Sequence, residues 1–372
     1  MKKIIFLTGT RADFGKLKSL IEISLKSNQF EVFIFATGMH MSKKYGYTVD
    51  EIEKCGYKNI YKFINHTLES SMDQTLSRTI EGLSNFAREL NPDLIVIHGD
   101  RVESLAGAIV GSLNNILVAH VEGGEVSGTI DELIRHAVSK LSHVHFVSNK
   151  SAKKRLIQMG EIADNIFVIG SPDVDAMLSD NLPTIEKVKE HYEIPFKEFG
   201  LILFHPVTTE INHMPRYAKQ FVDAILKTSN NYVVIYPNND LGSNSILTEF
   251  ERFKNKPNFR IYPSVRFEYF LVMLKHSSFL VGNSSAGIRE APYYGLPTVN
   301  IGSRQQNRAL HNDIINCGYS TAEIIKAIKT AKNATFKKVD LFGNGKSDQL
   351  FIGVIGKENF WKINKQKVFK DI

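Results

Sequence analysis

The sequence predicts an α/β protein of two Rossmann-like, doubly wound domains facing a cleft, and three observations carry that prediction. Short apolar runs alternate with amphipathic stretches. The alternation restarts past the middle of the chain. At 372 residues, the chain also exceeds what one hydrophobic core usually serves. An apolar content of 43% suits ordinary globular packing.

In the first half, Lys3–Leu7, Val32–Ala36, Leu94–Ile97, Ile116–Val121, Val144–Val147 and Ile166–Ile169 read as buried strands. Lys16–Leu25, Met72–Leu90, Ser104–Leu113 and Lys150–Met159 carry helical spacing between them. Such alternation implies a parallel sheet with helices on both faces. Ser179–Phe199, a charged piece flanked by Pro183 and Pro195, reads as a linker. The pattern then resumes with strands at Leu201–Phe204, Tyr232–Tyr236, Phe259–Tyr262, Phe279–Val281 and Thr298–Ile301. Helices are expected near Tyr217–Lys227, Arg266–Lys275, Ala286–Tyr294 and Thr321–Ala331. The expected domains are 1–178 and 179–358, with a basic helical tail, about 359–372, packing back on the first.

Composition excludes several classes of function. The net charge of +7 comes from scattered lysines without interleaved aromatic or glycine-arginine patterning, so no nucleic-acid partner is expected. An anionic small substrate accounts for the excess equally well. The apolar stretch in Met1-Lys-Lys-Ile-Ile-Phe-Leu7 is too short for a secretory core, and no run reaches membrane-spanning length. Cys55 and Cys317 make neither a disulfide framework nor a metal pattern, which fits a reducing cytoplasm.

Six polar clusters follow predicted strands, where open α/β sheets bind ligands. They are Thr8–Lys16, His98–Arg101, Glu122–Glu125, His205–Thr209, Asn238–Asp240 and Gly282–Glu290. Two of these loops, at 98–101 and 122–125, and the helix start at 129–136 each offer Asp or Glu side chains that suit proton transfer. Gly282-Asn-Ser-Ser-Ala-Gly-Ile-Arg-Glu290 offers a strand, a small-residue turn and a helix start. The N–H groups and hydroxyls of Ser284 and Ser285 would cradle a phosphate there, with Glu290 within reach of a ribose diol. Arg11 and Lys16 would place charge on a pyrophosphate. His205 either donates to phosphate or caps its strand, and Asn238 either reads a base or shapes a turn.

Other residues read more simply. Thr129-x-x-Glu132 matches a capping box, which makes Glu132 structural, and Asp131 shares that first turn. Arg135 and His136 lie one turn later, spaced to pair with Asp131 and Glu132. Glu125 either orients a ligand or is a surface charge. Asp173-Val-Asp175 mimics a metal motif but follows Pro172, so capping is expected. His40, His143 and His145 lack metal spacing, and no metal site is expected.

With these segments placed, the chain resembles the hydrolysing UDP-N-acetylglucosamine 2-epimerases of bacterial sialic acid synthesis along nearly its whole length. The segments that carry the resemblance are Gly9–Lys16, Thr37-Gly-Met-His40, His98–Arg101, His120–Glu125, Ile134-Arg-His136, His205–Thr208, Tyr236–Asp240, Arg266-Phe-Glu-Tyr-Phe270 and Gly282–Glu290. The resemblance implies a glycosyltransferase-B type fold and a homo-oligomer assembled through the first domain. It puts Asp100, Glu122 and Asp131 on the family's catalytic carboxylates. It puts Arg11, Lys16, Arg101, His205, Asn238, Ser284, Ser285, Glu290 and Arg304 on positions associated with UDP. The implied substrate is a UDP-sugar and no cofactor is implied. A neighbouring branch acts on UDP-linked 2,4-diacetamido-2,4,6-trideoxyglucose.

Overall fold

The computed structural model describes residues 1–65, 71–127, 130–238, 240–305, 314–368 and 370–371. The chain divides into two compact units: residues 1–125, 131–180 and 341–372 form one, and 126–130 with 181–340 the other.

The first unit runs β1 (Lys2–Thr8), α1 (Arg11–Lys26), β2 (Phe30–Ala36), α2 (Val49–Glu53), β3 (Ile60–Lys62), α3 (Met72–Leu90), β4 (Leu94–His98) and α4 (Val102–Leu113). It continues through β5 (Leu117–Val121), α5 (Ile130–Leu141), β6 (Val144–Val147), α6 (Lys150–Gln158), β7 (Ile166–Val168) and α7 (Pro172–Met177). All strands pair in parallel in the order β3-β2-β1-β4-β5-β6-β7. Helices on both faces bury the middle strands, so Ile4–Leu7 and Leu94–Ile97 are apolar throughout rather than alternating. β3 was not expected from the sequence. It is a three-residue edge with Tyr61 and Lys62 exposed, too short and polar to give an apolar run.

The second unit holds α8 (Ile185–His191), β8 (Gly200–Leu203), α9 (Met214–Leu226), β9 (Tyr232–Ile235), α10 (Ser243–Phe250), β10 (Phe259–Tyr262), α11 (Phe267–His276) and β11 (Phe279–Gly282). α12 (Ala291–Tyr294), β12 (Thr298–Ile301), β13 (Ile314–Cys317) and α13 (Thr321–Lys332) complete it. Its parallel sheet has the order β10-β9-β8-β11-β12-β13. Strand order therefore reverses between β1 and β4 in one unit and between β8 and β11 in the other. Those reversals are the topological switch points where such sheets open a ligand crevice.

The segment expected to be a linker belongs to the second unit. Thr184 caps α8, and Val188, Ile194, Phe196 and Phe199 are buried with Leu201 and Val233. The return to the first unit starts at Leu341, ahead of the expected position near 359. α14 (Ser347–Ile355) carries it, with Phe351 packed between Phe6 and Phe146. Beyond it the described tail forms only a short 3-10 turn, Glu358–Lys362, in place of the expected terminal helix.

That tail is fastened by a buried charge. Lys367 Nζ lies 2.5 Å from Glu161 Oε2 and donates to Ser142 O at 2.7 Å. His145 Nε2 approaches the same carboxylate at 2.9 Å. Burial alone would push Glu161 up, but the hydrogen bond from His145 and the Lys367 ammonium outweigh it and hold the carboxyl at about 2. A depressed carboxyl contributes stability above its ordinary value and loses that contribution as pH falls toward the folded value. Lys367→Met is therefore expected to lower the urea midpoint near neutral pH. The deficit should shrink as pH falls from about 4.5 toward 2, which urea titrations across that range will check.

Candidate active site

Each switch point gathers polar side chains. In the first unit α1 opens with a capping box in which Thr10 and Asp13 satisfy each other. Asp13 also accepts from the backbone of Gly9 and Thr10. Arg11, the first helical residue, lies 3.8 Å from Glu51. One turn on, Lys16 is 8% exposed, with its Nζ 3.1 Å from Asp173 Oδ2 and 3.8 Å from Glu122 Oε2. His40 bridges the Thr8 and Thr48 hydroxyls at 3.0 and 2.8 Å, and burial lowers it to about 4, so it is a neutral structural residue.

β4 and β5 end side by side, with His98 in register with Val121. The two strand-end loops interlock: Gly99 N donates to Val121 O at 3.0 Å, and the buried His120 ring bridges Gly99 O (2.8 Å) and the Ser139 hydroxyl (3.1 Å). A carbonyl only accepts, so His120 carries its proton on Nε2. Burial lowers it to about 3. Beyond this lock sits Glu122, 4% exposed, at φ +65°. A side chain in the left-handed region costs about 1 kcal/mol, and functional sites are where such strain collects. Its carboxylate is held at both oxygens: the Ser171 hydroxyl donates to Oε1, and His98 Nε2 lies 3.0 Å from Oε2.

Asp100 follows β4 and pairs with Arg135 of α5. Spacing alone offered Asp131 and Glu132 as partners for Arg135, and the structure adds this pair from 35 residues away. The guanidinium is 1% exposed and also donates to Glu125 O at 3.3 Å. Asp131 lies four residues before Arg135, on the same face of α5. His136 meets Glu132 at 3.3 Å, as the spacing suggested. The Thr129 half of the expected capping box lies outside the described residues. Glu125 is buried rather than a surface charge and accepts from Ser148. Arg101 immediately precedes α4, and its Nε donates to the buried Glu103 at 3.3 Å. Asp175 caps, but for α14 rather than its own helix, taking the N–H groups of Ser347 and Asp348 at 2.9 and 3.0 Å.

In the second unit the residue that ties the switch point together is Asn283, which the sequence did not single out. Gly282 precedes it at φ +147°, where a Cβ would lie 1.9 Å from Leu203 O, so only glycine lets β11 approach β8 this closely. Asn283 exchanges hydrogen bonds with the backbone of His205, at 2.6 and 2.8 Å. Its carbonyl accepts from Arg304 at 3.3 Å and Gln305 at 2.9 Å. Asn238 N donates to His205 Nδ1 at 3.1 Å, so a neutral His205 ring carries its proton on Nε2. Asn283 thus connects His205, Asn238 and Arg304, three of the residues expected at the nucleotide. Glu210 steadies the same loop, accepting from Ser303 and, at 3.0 Å, from Tyr319.

The helix expected over Ala286–Tyr294 is absent in that form. Ser284 caps a three-residue 3-10 turn, Ser285–Gly287, and Glu290 is buried at the start of the four-residue α12. Pro292 cannot supply an interior helical N–H, so the helix restarts there. A phosphate at this turn would therefore meet hydroxyls and N–H groups without a helix dipole behind them.

Over residues 23–356 the chain matches the family model described as UDP-N-acetylglucosamine 2-epimerase. The chain belongs to that family. It is 47% identical to the UDP-N-acetylglucosamine 2-epimerase of Neisseria meningitidis serogroup B, with 100% of each chain covered. It is 34% identical, over 94% of each chain, to the UDP-N,N'-diacetylbacillosamine 2-epimerase (hydrolyzing) of Legionella pneumophila. Among solved structures, the Methanocaldococcus jannaschii UDP-GlcNAc 2-epimerase in complex with UDP-GlcNAc and UDP superposes with a TM-score of 0.81. Identity there is 23%, with 96% of this chain and 99% of that one covered, a likeness that establishes the two-domain glycosyltransferase-B type of α/β fold. As a member of this epimerase family the protein is an enzyme. Among its described residues no helix is long and apolar enough to cross a membrane.

Proposed function

We propose that the protein is a hydrolysing 2-epimerase that converts UDP-N-acetylglucosamine and water to N-acetylmannosamine and UDP, for sialic acid synthesis. The observation that carries this reading is the pair of carboxylates on adjacent strand ends. Glu122 is buried and held at both oxygens by Ser171, His98 and Lys16, while Asp100 is more open and held by Arg135. Two acids in different surroundings are what proton transfer on opposite faces of one carbon requires. The full-length likeness to the Neisseria enzyme supports the substrate, and the likeness to a relative named as hydrolyzing supports the outcome.

In the first step one of these carboxylates takes the C2 proton as the C1–oxygen bond breaks. The C2–H electron pair becomes the C1=C2 bond of 2-acetamidoglucal, and UDP leaves with the C1–O pair. The leaving phosphate gathers charge, which Arg11, Ser284, Ser285 and Arg304 would stabilise, with Glu290 on the ribose. C2 then takes a proton on its other face from Glu122 or Asp131, water adds its hydroxide to C1, and the water's remaining proton goes to the carboxylate that protonated C2.

The test is incubation with UDP-N-acetylglucosamine in deuterated water, followed by NMR. Free UDP and N-acetylmannosamine deuterated at C2 are expected. Accumulation of UDP-N-acetylmannosamine would overturn the hydrolytic reading, and an undeuterated product would overturn elimination. The Legionella relative favours a second sugar, so UDP-2,4-diacetamido-2,4,6-trideoxyglucose run in parallel decides between the two by relative kcat/KM.

A further inference from the structure

The turn after β7 reaches Glu122 along two routes. Ser171, fully buried, donates its hydroxyl to Glu122 Oε1. Asp173, 2% exposed, lies 3.1 Å from the Lys16 ammonium, which is also 3.8 Å from Glu122 Oε2. The turn is itself firmly anchored. Ser171 N donates to Phe342 O at 2.6 Å. Gly170 and Gly343, at φ +85° and +110°, pack so closely that a Cβ on Gly343 would lie 2.8 Å from Gly170 Cα. Asp175, two residues on, holds the start of α14 and the Ser19 hydroxyl. A segment fixed at both ends gives its polar groups one geometry.

We infer that Ser171 and Asp173 are positioning residues that set the orientation and charge state of Glu122, Ser171 directly and Asp173 through Lys16. The ammonium faces two buried carboxylates, so part of its charge is spent on Asp173 and its pull on Glu122 is moderated. The Ser171 hydroxyl works in the other direction, favouring the ionised carboxylate that accepts its hydrogen bond. Among the described residues, the charged and titratable groups near Glu122 also include His98, which meets Oε2, His120, which burial keeps neutral, and Asp100 on the neighbouring loop with its partner Arg135 of α5. The motif Ser171-Pro-Asp173 is then a third strand-end contribution to the site, behind the reacting groups.

This inference uses the proposed reaction only for its kinetic readout, and a second readout needs no turnover. Protein labelled with 13C at glutamate Cδ is titrated by NMR, the Glu122 signal being assigned by its loss in Glu122→Gln. Ser171→Ala removes a donor to the anion, so the Glu122 midpoint is expected to rise by about one unit. Asp173→Asn frees Lys16 to act on Glu122, so the midpoint is expected to fall by a similar amount. The limb of the pH–kcat profile that belongs to Glu122 should move with it in both variants, and Ser171→Thr should restore the wild-type profile. Shifts of the same sign in both variants, or a loss of kcat with the midpoint unmoved, would overturn the inference. A wild-type protein that turns over neither UDP-sugar would refute the proposed function, while the NMR midpoints would still decide this point.

Discussion

Glu122→Gln is expected to lower kcat by about 10²–10⁴-fold, the usual worth of one general acid–base group, while UDP still binds and the protein stays folded. Glutamine keeps the volume and the oxygen that accepts from Ser171. It cannot take or give a proton, so the chemistry suffers and the architecture does not. Lys16 retains Asp173 as its counter-ion at 3.1 Å, so no buried ammonium is left stranded. Local adjustments fall on His98, whose Nε2 now meets an amide N–H and must accept rather than donate, and on Lys16, which loses the charge of Oε2 at 3.8 Å. Steady-state kinetics and UDP titration by calorimetry read the two effects separately. Unchanged kcat would remove Glu122 from the proton transfers.

Arg135→Met is the second large effect, and it acts on stability and activity together. The guanidinium is 1% exposed and ties Asp100 and the Glu125 carbonyl to α5, which also carries Asp131. Breaking a buried ion pair by removing one partner costs roughly 3–5 kcal/mol. Asp100 keeps a 28% exposed side chain and can turn to water, so a loss near the low end, about 3 kcal/mol in urea unfolding, is expected here. kcat should fall by about tenfold or more, because Asp100 loses the group that orients it. Arg135→Lys should recover only part of both, since an ammonium lacks the planar fork that reaches Asp100 and the Glu125 carbonyl at once. A lysine variant equal to wild type would show that charge alone is required.

These residues also show where sequence reading stops. Asp100 and Glu122 were legible because a buried strand announces itself as an apolar run, and the residues just after it fall at the carboxyl edge of the sheet. Arg135 was legible as a neighbour of acids, but helical spacing knows only positions three and four away, and Asp100 reaches it from another strand end. Ser171 and Asp173 read as an ordinary helix start, because nothing local in Gly-Ser-Pro-Asp distinguishes a cap from a brace for a carboxylate 49 residues earlier. Asn283 was hidden for the same reason, its side-chain bonds closing onto the backbone of His205, 78 residues away.

By itself the sequence determined two parallel α/β sheets and the polar strand ends proposed to bear the chemistry. Those follow from periodicity and burial, which are properties of neighbouring residues. Only the tertiary structure decided that the chain returns to its first unit from Leu341, and that Glu161 fastens its end. It also decided that Lys16 faces Glu122 and Asp173, and that Arg135 serves Asp100. Each of these pairings is a buried charge finding a counter-charge far away in the chain. The need is local, because an ion out of water must be paired, but its satisfaction depends on which distant segments the fold brings alongside.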